Sequence, residues 1–321
     1  MYANKSNNFF HGIMFHHFHD DKKHLSGQGS ISRNQFVKII DYIGRKNILD
    51  APEFIKRYKN KKLKKNHVCI TFDDSLKCQF DIALPVLEYY KIKAFFFVYS
   101  SAVTNQPDLL EIYRYFRHNC YSSIDGFYED FFNSLPKLKK KKLIFFLKSK
   151  KKLINENLKK FSFYTENDVK FRITRDLFLS RDIYKKVMKK MFRKKNFKIE
   201  KIKNQVFLQK KDLVKLHKLG HEIGLHSHTH PTTLKKLNYK NQFNEYHRNN
   251  LVLKKILKTD RIQSMSHPCG SYNLNTLKIL KKMKIDIGFK QIMINKNSNS
   301  SKFEICRQDH SNIVRAMESV R

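Results

Sequence analysis

The sequence predicts an α/β fold with a parallel sheet. Short apolar runs rich in β-branched and aromatic residues alternate with segments of helical periodicity. Polar clusters follow three of these runs, at 73–74, 226–230 and 268–272. In parallel α/β folds, chemistry collects at the C-terminal ends of the strands. The chain has 321 residues, of which 40% are hydrophobic, so it can bury a sizeable core.

Strands and helices are both predicted in the first hundred residues. Ser32 and Gln35 have the spacing of a capping box, which marks the start of a helix. Pro85 is expected to kink or break the helix that contains it. In chain order we predict a strand at 11–18, a helix at 32–47, a strand at 68–72, a helix at 76–90 and a strand at 94–99.

The alternation of strands and helices is lost between residues 107 and 203. Amphipathic helix patterns and lysine runs, at 137–142 and 148–152, dominate this stretch. Leucine, isoleucine and phenylalanine recur throughout it, which distinguishes it from a flexible linker. We therefore predict one domain spanning residues 1–321, with a Lys-rich helical insertion at 107–203.

The alternation returns after Leu208. Gly220 is expected to end the first helix of this part, because glycine accepts the left-handed backbone that often follows a helix. We predict helices at 210–219, 239–257 and 274–283, and strands at 222–226, 263–266, 285–289 and 304–307.

The chain carries a strong positive charge, with 66 Lys and Arg against 28 Asp and Glu, or +38. Lysine is strongly preferred to arginine, and the composition suits an A+T-rich genome, so compositional bias explains the charge. Binding to a polyanion or to an anionic membrane surface is the alternative. The lysines are spread along the whole chain and no nucleic-acid-binding motif occurs, so no specific nucleic-acid partner is expected.

The same composition bears on the cellular compartment. No apolar run reaches the ~18–20 residues needed to span a bilayer, and the first residues lack the apolar core of a secretory signal. The five cysteines are an odd number and none forms C-x-x-C, which argues against a disulfide framework and a cysteine-rich zinc site. We therefore expect a soluble, cytoplasmic protein.

Two clusters of side chains of the types that commonly bind metal ions follow predicted strands. Asp73 and Asp74 are adjacent carboxylates that repel each other, and either a bound metal or a helix-capping role could account for them. His226 and His230 are four residues apart, which lets both imidazoles reach one ion if the segment turns helically. Asp74, His226 and His230 would provide three ligands and leave a position open, as in catalytic zinc sites.

A third cluster surrounds Pro268 and Gly270, which predict a tight turn after a strand. Such a turn can direct a backbone N–H at a developing oxyanion, and an ordinary surface turn is the alternative.

Together, these three motifs resemble those of the polysaccharide deacetylases, carbohydrate esterase family four. The motifs are Thr-Phe-Asp-Asp at 71–74, His-Ser-His-Thr-His-Pro at 226–231 and Pro-Cys-Gly-Ser-Tyr-Asn at 268–273. The resemblance covers residues 9–100 and 208–310. It implies a distorted (β/α) barrel, usually of seven strands, and a polysaccharide-deacetylase-like domain.

The resemblance also implies a metal-dependent hydrolase that removes an N-acetyl or similar N-acyl group from an amino sugar. The divalent metal, zinc above all, would be held by Asp74, His226 and His230. Asp73 would be the general base that activates the attacking water, and the backbone N–H of Cys269 would help to hold the oxyanion.

The general acid of this family is a histidine that follows an apolar motif. The segment Ile13-Met14-Phe15-His16 resembles the version found before the aspartate motif, so His16 is favoured. His17 is its neighbour and could compete, and His310 is the candidate near the C-terminus.

Two positions depart from the family pattern. Ser266 occupies the place of an arginine that often orients the catalytic aspartate, and Arg307 is the candidate replacement. Cys269 stands where an aromatic residue is common. A metal-binding barrel without turnover therefore remains an alternative to the enzyme. The expected substrate is an N-acylated amino sugar or glycan intermediate of surface polysaccharide or lipopolysaccharide biosynthesis, and an anionic membrane surface is a further candidate partner.

Overall fold

The computed structural model describes residues 9–104, 106, 109–160, 164–292 and 301–319. The chain divides into two compact units. The first comprises Met1–His24, Ser30–Asp108 and Asn204–Arg321, and the second comprises Leu25–Gly29 and Leu109–Lys203. Residues 107, 108 and 161–163 of the insertion predicted at 107–203 lie outside the described residues, and its assignment as an insertion within one domain stays a prediction.

The first unit contains a closed barrel of seven parallel strands, which confirms the predicted fold class. Each barrel strand pairs with the next, and the last pairs with the first to close the barrel. Two further strands, β2 (Phe18–His19) and β3 (Ile31–Ser32), form a small parallel sheet of their own. The strands are β1 (Gly12–Phe15), β2 (Phe18–His19), β3 (Ile31–Ser32), β4 (Cys69–Phe72), β5 (Phe95–Val98), β6 (Glu222–Leu225), β7 (Ser264–Ser266), β8 (Ile287–Gln291) and β9 (Ile305–Asp309).

Helices connect the barrel strands and form the second unit. None of the helices in the described ranges is long and apolar enough to cross a membrane. In chain order they are α1 (Arg33–Ile43), α2 (Ala51–Lys59), α3 (Leu84–Tyr89), α4 (Ser100–Val103), α5 (Leu109–Asn119), α6 (Ile124–Ser134), α7 (Lys137–Ser149), α8 (Lys151–Lys160), α9 (Glu166–Ile173), α10 (Arg181–Lys194), α11 (Ile199–Val206), α12 (Lys210–Lys218), α13 (Tyr239–Leu257), α14 (Leu274–Lys282) and α15 (His310–Glu318).

Local sequence signals explain the ends of several helices. The side chains of Ser32 and Gln35 form the predicted capping box, accepting hydrogen bonds at 3.2 and 2.7 Å from each other's backbone N–H. Helix α1 ends at Ile43, earlier than predicted, because Gly44 takes a backbone φ of 81°. Pro85 lies in the first turn of α3, where its missing N–H removes no hydrogen bond of that helix. A wide π-helical turn over Gln79–Ala83 precedes it.

Side chains of the barrel strands pack with those of α2 and the residues before it in one apolar cluster. Its fully or nearly buried members are Leu49, Ala51, Phe54, Ile55, Cys69, Phe95, Phe97, Ile287, Phe289 and Ile305. Arg307 is 1% exposed, and its guanidinium carbon lies 5.4 Å from the ring centroid of Phe97 and 5.8 Å from that of Phe289. A cation buried against apolar rings requires an anionic partner, and that partner lies in the candidate site.

Three helices of the first unit escaped the sequence analysis. Helix α4 has only four residues and follows β5 closely. Helix α2 is short and begins with Ala-Pro, so it offers only two turns of periodicity, and α15 follows the last strand directly. The strands predicted at 285–289 and 304–307 lie at Ile287–Gln291 and Ile305–Asp309. Such errors of a few residues are typical at element ends, where burial rather than local sequence decides the boundary.

The second unit is helical, as its periodicity predicted, and has an aromatic core. The ring centroids of Phe116 and Phe192 lie 4.6 Å apart, and those of Phe131 and Phe171 lie 4.8 Å apart. All four rings are buried, so phenylalanine supplies much of the apolar contact in this unit.

Candidate active site

Polar side chains from four barrel strands meet at one end of the barrel. Asp73 and Asp74 directly follow β4, His226 follows β6 and His16 follows β1. Arg307 projects from β9, which closes the barrel against β1. Because all of these strands are parallel, their C-terminal ends lie at the same rim.

The predicted metal ligands form one compact group. The Oδ1 atom of Asp74 lies 3.3 Å from Nε2 of His226 and 3.1 Å from Nε2 of His230. The three donor atoms all lie within 4.8 Å of one another. The expected helical turn between the two histidines is wrong, because residues 226–230 form a loop with left-handed backbone at Ser227 (φ 64°) and His230 (φ 53°). The loop achieves the same convergence.

The orientation of His226 suits it to bind a cation. Its Nδ1 atom lies 3.1 Å from the carbonyl oxygen of Ser266 and 2.7 Å from the Ser266 hydroxyl. A carbonyl only accepts hydrogen bonds, so Nδ1 carries a proton, and Nε2, which faces Asp74, is the atom that would bind a metal. The backbone N–H of His226 also donates to Asn249 Oδ1 at 2.9 Å, which fixes the start of the loop.

The charges within this group reinforce one another. Burial alone would lower the pKa of His230, but the Asp74 carboxylate outweighs it and holds that pKa well above its usual value. Burial likewise opposes ionisation of Asp74, but the His230 charge and hydrogen bonds from both histidines keep the Asp74 pKa well below its usual value. One carboxylate and two imidazoles are the donor types of catalytic zinc sites, so these residues fit a divalent metal.

Asp73 is held separately, by an arginine. Its two carboxylate oxygens each accept a hydrogen bond of 2.7 Å from the Arg307 guanidinium, and Oδ1 also accepts one of 3.2 Å from the Ser266 hydroxyl. Burial would raise the pKa of Asp73, but the positive charge of Arg307 outweighs it, so the pKa lies below its ordinary value. Arg307 therefore keeps a buried carboxylate ionised and fixes its orientation.

Gly12 makes room for this arginine. Gly12 of β1 lies opposite Arg307 of β9 in the strand register. A Cβ atom added at Gly12 would collide with the Cγ atom of Arg307 and approach its Cδ atom to 3.1 Å. Glycine is thus required at this position so that the Arg307 side chain can reach Asp73.

The three candidate acids occupy different surroundings. His16 is partly exposed, and its Nε2 atom lies 3.9 Å from Oδ2 of Asp74. The ring of His17 lies nearly parallel to that of His16, with centroids 6.3 Å apart, and its carbonyl accepts a hydrogen bond from the small sheet. His310 is buried, its ring stacks on Phe15 at 5.5 Å, and burial lowers its pKa. The geometry favours His16, which combines access to solvent with proximity to Asp74.

The predicted oxyanion turn is present as a short 3-10 turn, Pro268–Gly270. Cys269 is exposed and has a left-handed backbone (φ 50°), and after Asp74 its thiol is a further group that raises the pKa of His230. This influence of the thiol on His230 was not predicted. It indicates that the turn lies near the predicted metal ligands Asp74, His226 and His230, as the role expected for the Cys269 N–H requires.

Several positions around the site have left-handed backbone without being glycine, a conformation that costs about 1–3 kcal/mol each. They are Asp74 (φ 73°), Ser75 (59°), Ser227 (64°), His230 (53°) and Cys269 (50°). Hydrogen bonds hold these loops in place, such as the bond of 3.1 Å from the Tyr99 N–H to the Ser75 hydroxyl. This concentration of strained loops is typical of a functional site.

Sequence reasoning missed three residues that support the site. The Gln79 amide donates to the carbonyls of Asp73 (2.6 Å) and His16 (2.9 Å), tying β4 to β1. Asn249 is a buried amide on α13. Its position on the apolar face of that predicted helix was the one sequence feature that could have indicated a supporting role. Asp309 ends β9. Its pKa is lowered, because the charges of His310 and then of His16 outweigh the effect of burial.

Comparison with known families identifies the fold and its chemistry. The family model described as polysaccharide deacetylase matches residues 60–122 and 125–288, more than half of the chain. The chain belongs to the polysaccharide deacetylase family. It is therefore a hydrolase of the deacetylase type that acts on carbon–nitrogen bonds other than peptide bonds, as the motifs predicted. No curated protein sequence matches the chain.

Solved structures share the fold at low sequence identity. The Streptococcus pyogenes deacetylase PplD in complex with acetate is 15% identical, with 96% of this chain and 97% of that chain covered and a TM-score of 0.54. IcaB from Ammonifex degensii is 14% identical, with 95% and 94% covered and a TM-score of 0.54. The BpsB deacetylase domain from Bordetella bronchiseptica is 12% identical, with 94% and 95% covered and a TM-score of 0.51.

Proposed function

We propose that this deacetylase removes an N-acetyl or similar N-acyl group from an amino sugar of a glycan, in a reaction that depends on a divalent metal, most favourably zinc. One observation carries the proposal. The group of Asp74, His226 and His230 has the donors of a metal site, and a second carboxylate, Asp73, stands beside it with its own arginine.

The residues of the site divide the chemistry among them. A divalent metal bound by Asp74, His226 and His230 supplies a Lewis acid for amide hydrolysis. Asp73 accepts the proton of the attacking water, and Arg307 holds its carboxylate in position.

The remaining groups act on the substrate. The backbone N–H of Cys269 donates to the developing oxyanion, as the turn after β7 allows. His16 donates a proton to the departing amine, since its ring is accessible to solvent and lies close to Asp74. His17 and His310 have no part in this scheme.

Membership of the polysaccharide deacetylase family supports a glycan substrate. We propose a glycan intermediate of surface polysaccharide or lipopolysaccharide biosynthesis, handled in the cytoplasm next to an anionic membrane surface. The alternative of a barrel without turnover was motivated by Ser266 in place of an arginine. Arg307 forms the ion pair with Asp73, so no observation favours that alternative.

Metal content and acetate release, measured on the same preparations, test the proposal. Wild-type enzyme should hold about one equivalent of a divalent metal and release acetate from N-acetylated amino-sugar oligosaccharides. His226→Ala should lose both properties, and Asp73→Asn should keep the metal and lose acetate release. His228→Gln is the matched control, because His228 belongs to the same motif but its ring contacts Ser100.

Chelation and reconstitution complete this experiment. Acetate release should stop when the metal is removed and return when Zn²⁺ is added. Full turnover after thorough chelation would overturn the proposal, as would equal metal content in the wild type and His226→Ala.

A further inference from the structure

The second unit presents an unusual concentration of lysine on one helical hairpin, α7 and the start of α8. Residues 137–152 contain nine lysines and no acidic residue. Lys140, Lys141 and Lys142 lie within one turn of α7, and in the part of the chain that the structure describes they form no ion pair with a carboxylate. Their charge is therefore available to an external anion.

Large apolar side chains are exposed among these lysines. Phe145 is 74% exposed, Leu138 is 66% exposed and Ile144 is 59% exposed, whereas Leu143 is buried against the rest of the unit. Leu138 and Phe145 are seven residues apart, which puts them on the same side of the helix, with Lys141 and Lys142 between them. Helix α7 therefore buries one apolar side and leaves a second one in water, which is costly without a partner.

A groove of about 760 Å³ borders the same helix within this unit. Its apolar lining residues are Phe132, Leu143, Ile144, Leu147, Ile154 and Leu158. Lys140, Lys148, Lys151 and Lys170 also line it, and its acidic lining residue, Glu166, is paired with Lys170 at 2.9 Å. The groove thus repeats the chemistry of the exposed side of α7, an apolar surface bordered by ammonium groups.

We propose that this lysine-apolar surface, formed by Leu138, Ile144 and Phe145 together with the lysines of 137–152, docks on an anionic membrane. A bilayer with anionic lipids provides phosphates for the lysines and hydrocarbon for the apolar side chains, about 5–10 Å below the surface. A nucleic acid would neutralise the lysines but would leave Phe145 in water. An apolar groove on a partner protein would have to desolvate the lysines.

The absence of tryptophan from the chain permits a direct test. In Phe145→Trp, the only indole of this 321-residue chain sits at the centre of the surface. Its fluorescence emission should shift to the blue, and quenching by acrylamide should decrease, when vesicles of phosphatidylcholine and phosphatidylglycerol are added. Vesicles of phosphatidylcholine alone should cause neither change. Tyr89→Trp is the matched control, because Tyr89 is 79% exposed on α3 of the first unit and should stay in water.

Charge reversal provides a second, independent measurement. Lys141→Glu/Lys142→Glu should weaken partitioning to the anionic vesicles by roughly 30-fold or more, at about five-fold per lysine removed. Lys210→Glu/Lys211→Glu makes the same change in net charge at exposed positions of α12 and should have a much smaller effect.

Three results would overturn the proposal. One is an equal blue shift of tryptophan emission in Phe145→Trp and Tyr89→Trp when anionic vesicles are added. Another is an equal loss of partitioning to these vesicles in the two charge-reversal variants. Either result would mean that the lipid is bound by charge spread over the whole protein. The third is a blue shift of the Phe145→Trp emission on addition of duplex DNA, together with displacement of the bound vesicles. That result would assign the surface to nucleic acid. None of these measurements depends on deacetylation.

Discussion

The pair formed by Arg307 and Asp73 gives the sharpest prediction. Arg307 is 1% exposed and Asp73 is 3% exposed, and two hydrogen bonds of 2.7 Å join them. Replacing Arg307 by methionine keeps the volume of the side chain but leaves a buried carboxylate without a counter-charge. Breaking a buried pair in this way costs about 3–5 kcal/mol. The free energy of unfolding of Arg307→Met, measured in urea by circular dichroism, should fall by that amount.

A double variant separates lost charge compensation from lost packing. Asp73→Asn in the Arg307→Met background removes the stranded charge, so the double variant should be more stable than Arg307→Met alone. Arg261→Met is the control, because Arg261 pairs with Asp286 at 2.6 Å on the surface and such pairs contribute about 0–1 kcal/mol. Equal losses in Arg307→Met and Arg261→Met, or no recovery in the double variant, would refute the reasoning.

Three further predictions concern neighbouring features. Gly12→Ala should destabilise the enzyme by about 1–3 kcal/mol and reduce activity, because the new methyl group displaces the side chain of Arg307. Ser266→Ala should weaken metal binding about 10–100-fold, because the Ser266 hydroxyl supports both Asp73 and His226. Burial lowers the pKa of His221 to about 4, so the folded state resists a proton that the unfolded state accepts below about pH 6.5. Stability should fall between pH 6.5 and 4 by about 1.4 kcal/mol per pH unit, and His221→Gln should flatten that slope.

Each of these three predictions has a matched control. Gly126→Ala adds a methyl group that meets only ordinary contacts, the nearest at 3.4 Å, and should not destabilise. Ser264→Ala removes a hydroxyl from the same strand as Ser266 but outside the site, and should leave metal affinity unchanged. His247→Gln makes the same substitution at an exposed histidine, and its slope of stability against pH should stay steeper than that of His221→Gln. A variant that behaves like its control would contradict the corresponding argument.

Local signals explain why much of the site was predictable. The aspartate pair and the histidine motif each directly follow a dense apolar run, and parallel strands bring the ends of such runs to one rim. Asp74, His226 and His230 could therefore be chosen from sequence, and the structure brings their donor atoms within 4.8 Å of one another. The capping box at Ser32 was predictable for the same reason, because both partners lie within one turn.

Long-range pairings were less accessible to sequence reasoning. Arg307 and Asp73 are 234 residues apart, so Arg307 could be a candidate but its two hydrogen bonds could not be derived. Asn249 acts from the middle of a helix whose periodicity indicates only a buried face. The loop at 226–230 owes its shape to left-handed residues that are not glycine, and local propensity disfavours that conformation.

The closure of the barrel has a consequence for how the enzyme acquires its activity. Strand β9, which completes the ring against β1, is also the strand that delivers Arg307 to Asp73. A chain that has folded only through β8 holds the histidine motif and both aspartates, yet lacks the counter-charge for Asp73. The step that seals the barrel is thus also the step that pairs Asp73, the proposed general base, with Arg307. Because this contact joins residues 234 positions apart, it is expected late in folding. Under the proposed mechanism, a partly folded chain would lack an oriented general base until the ring closes.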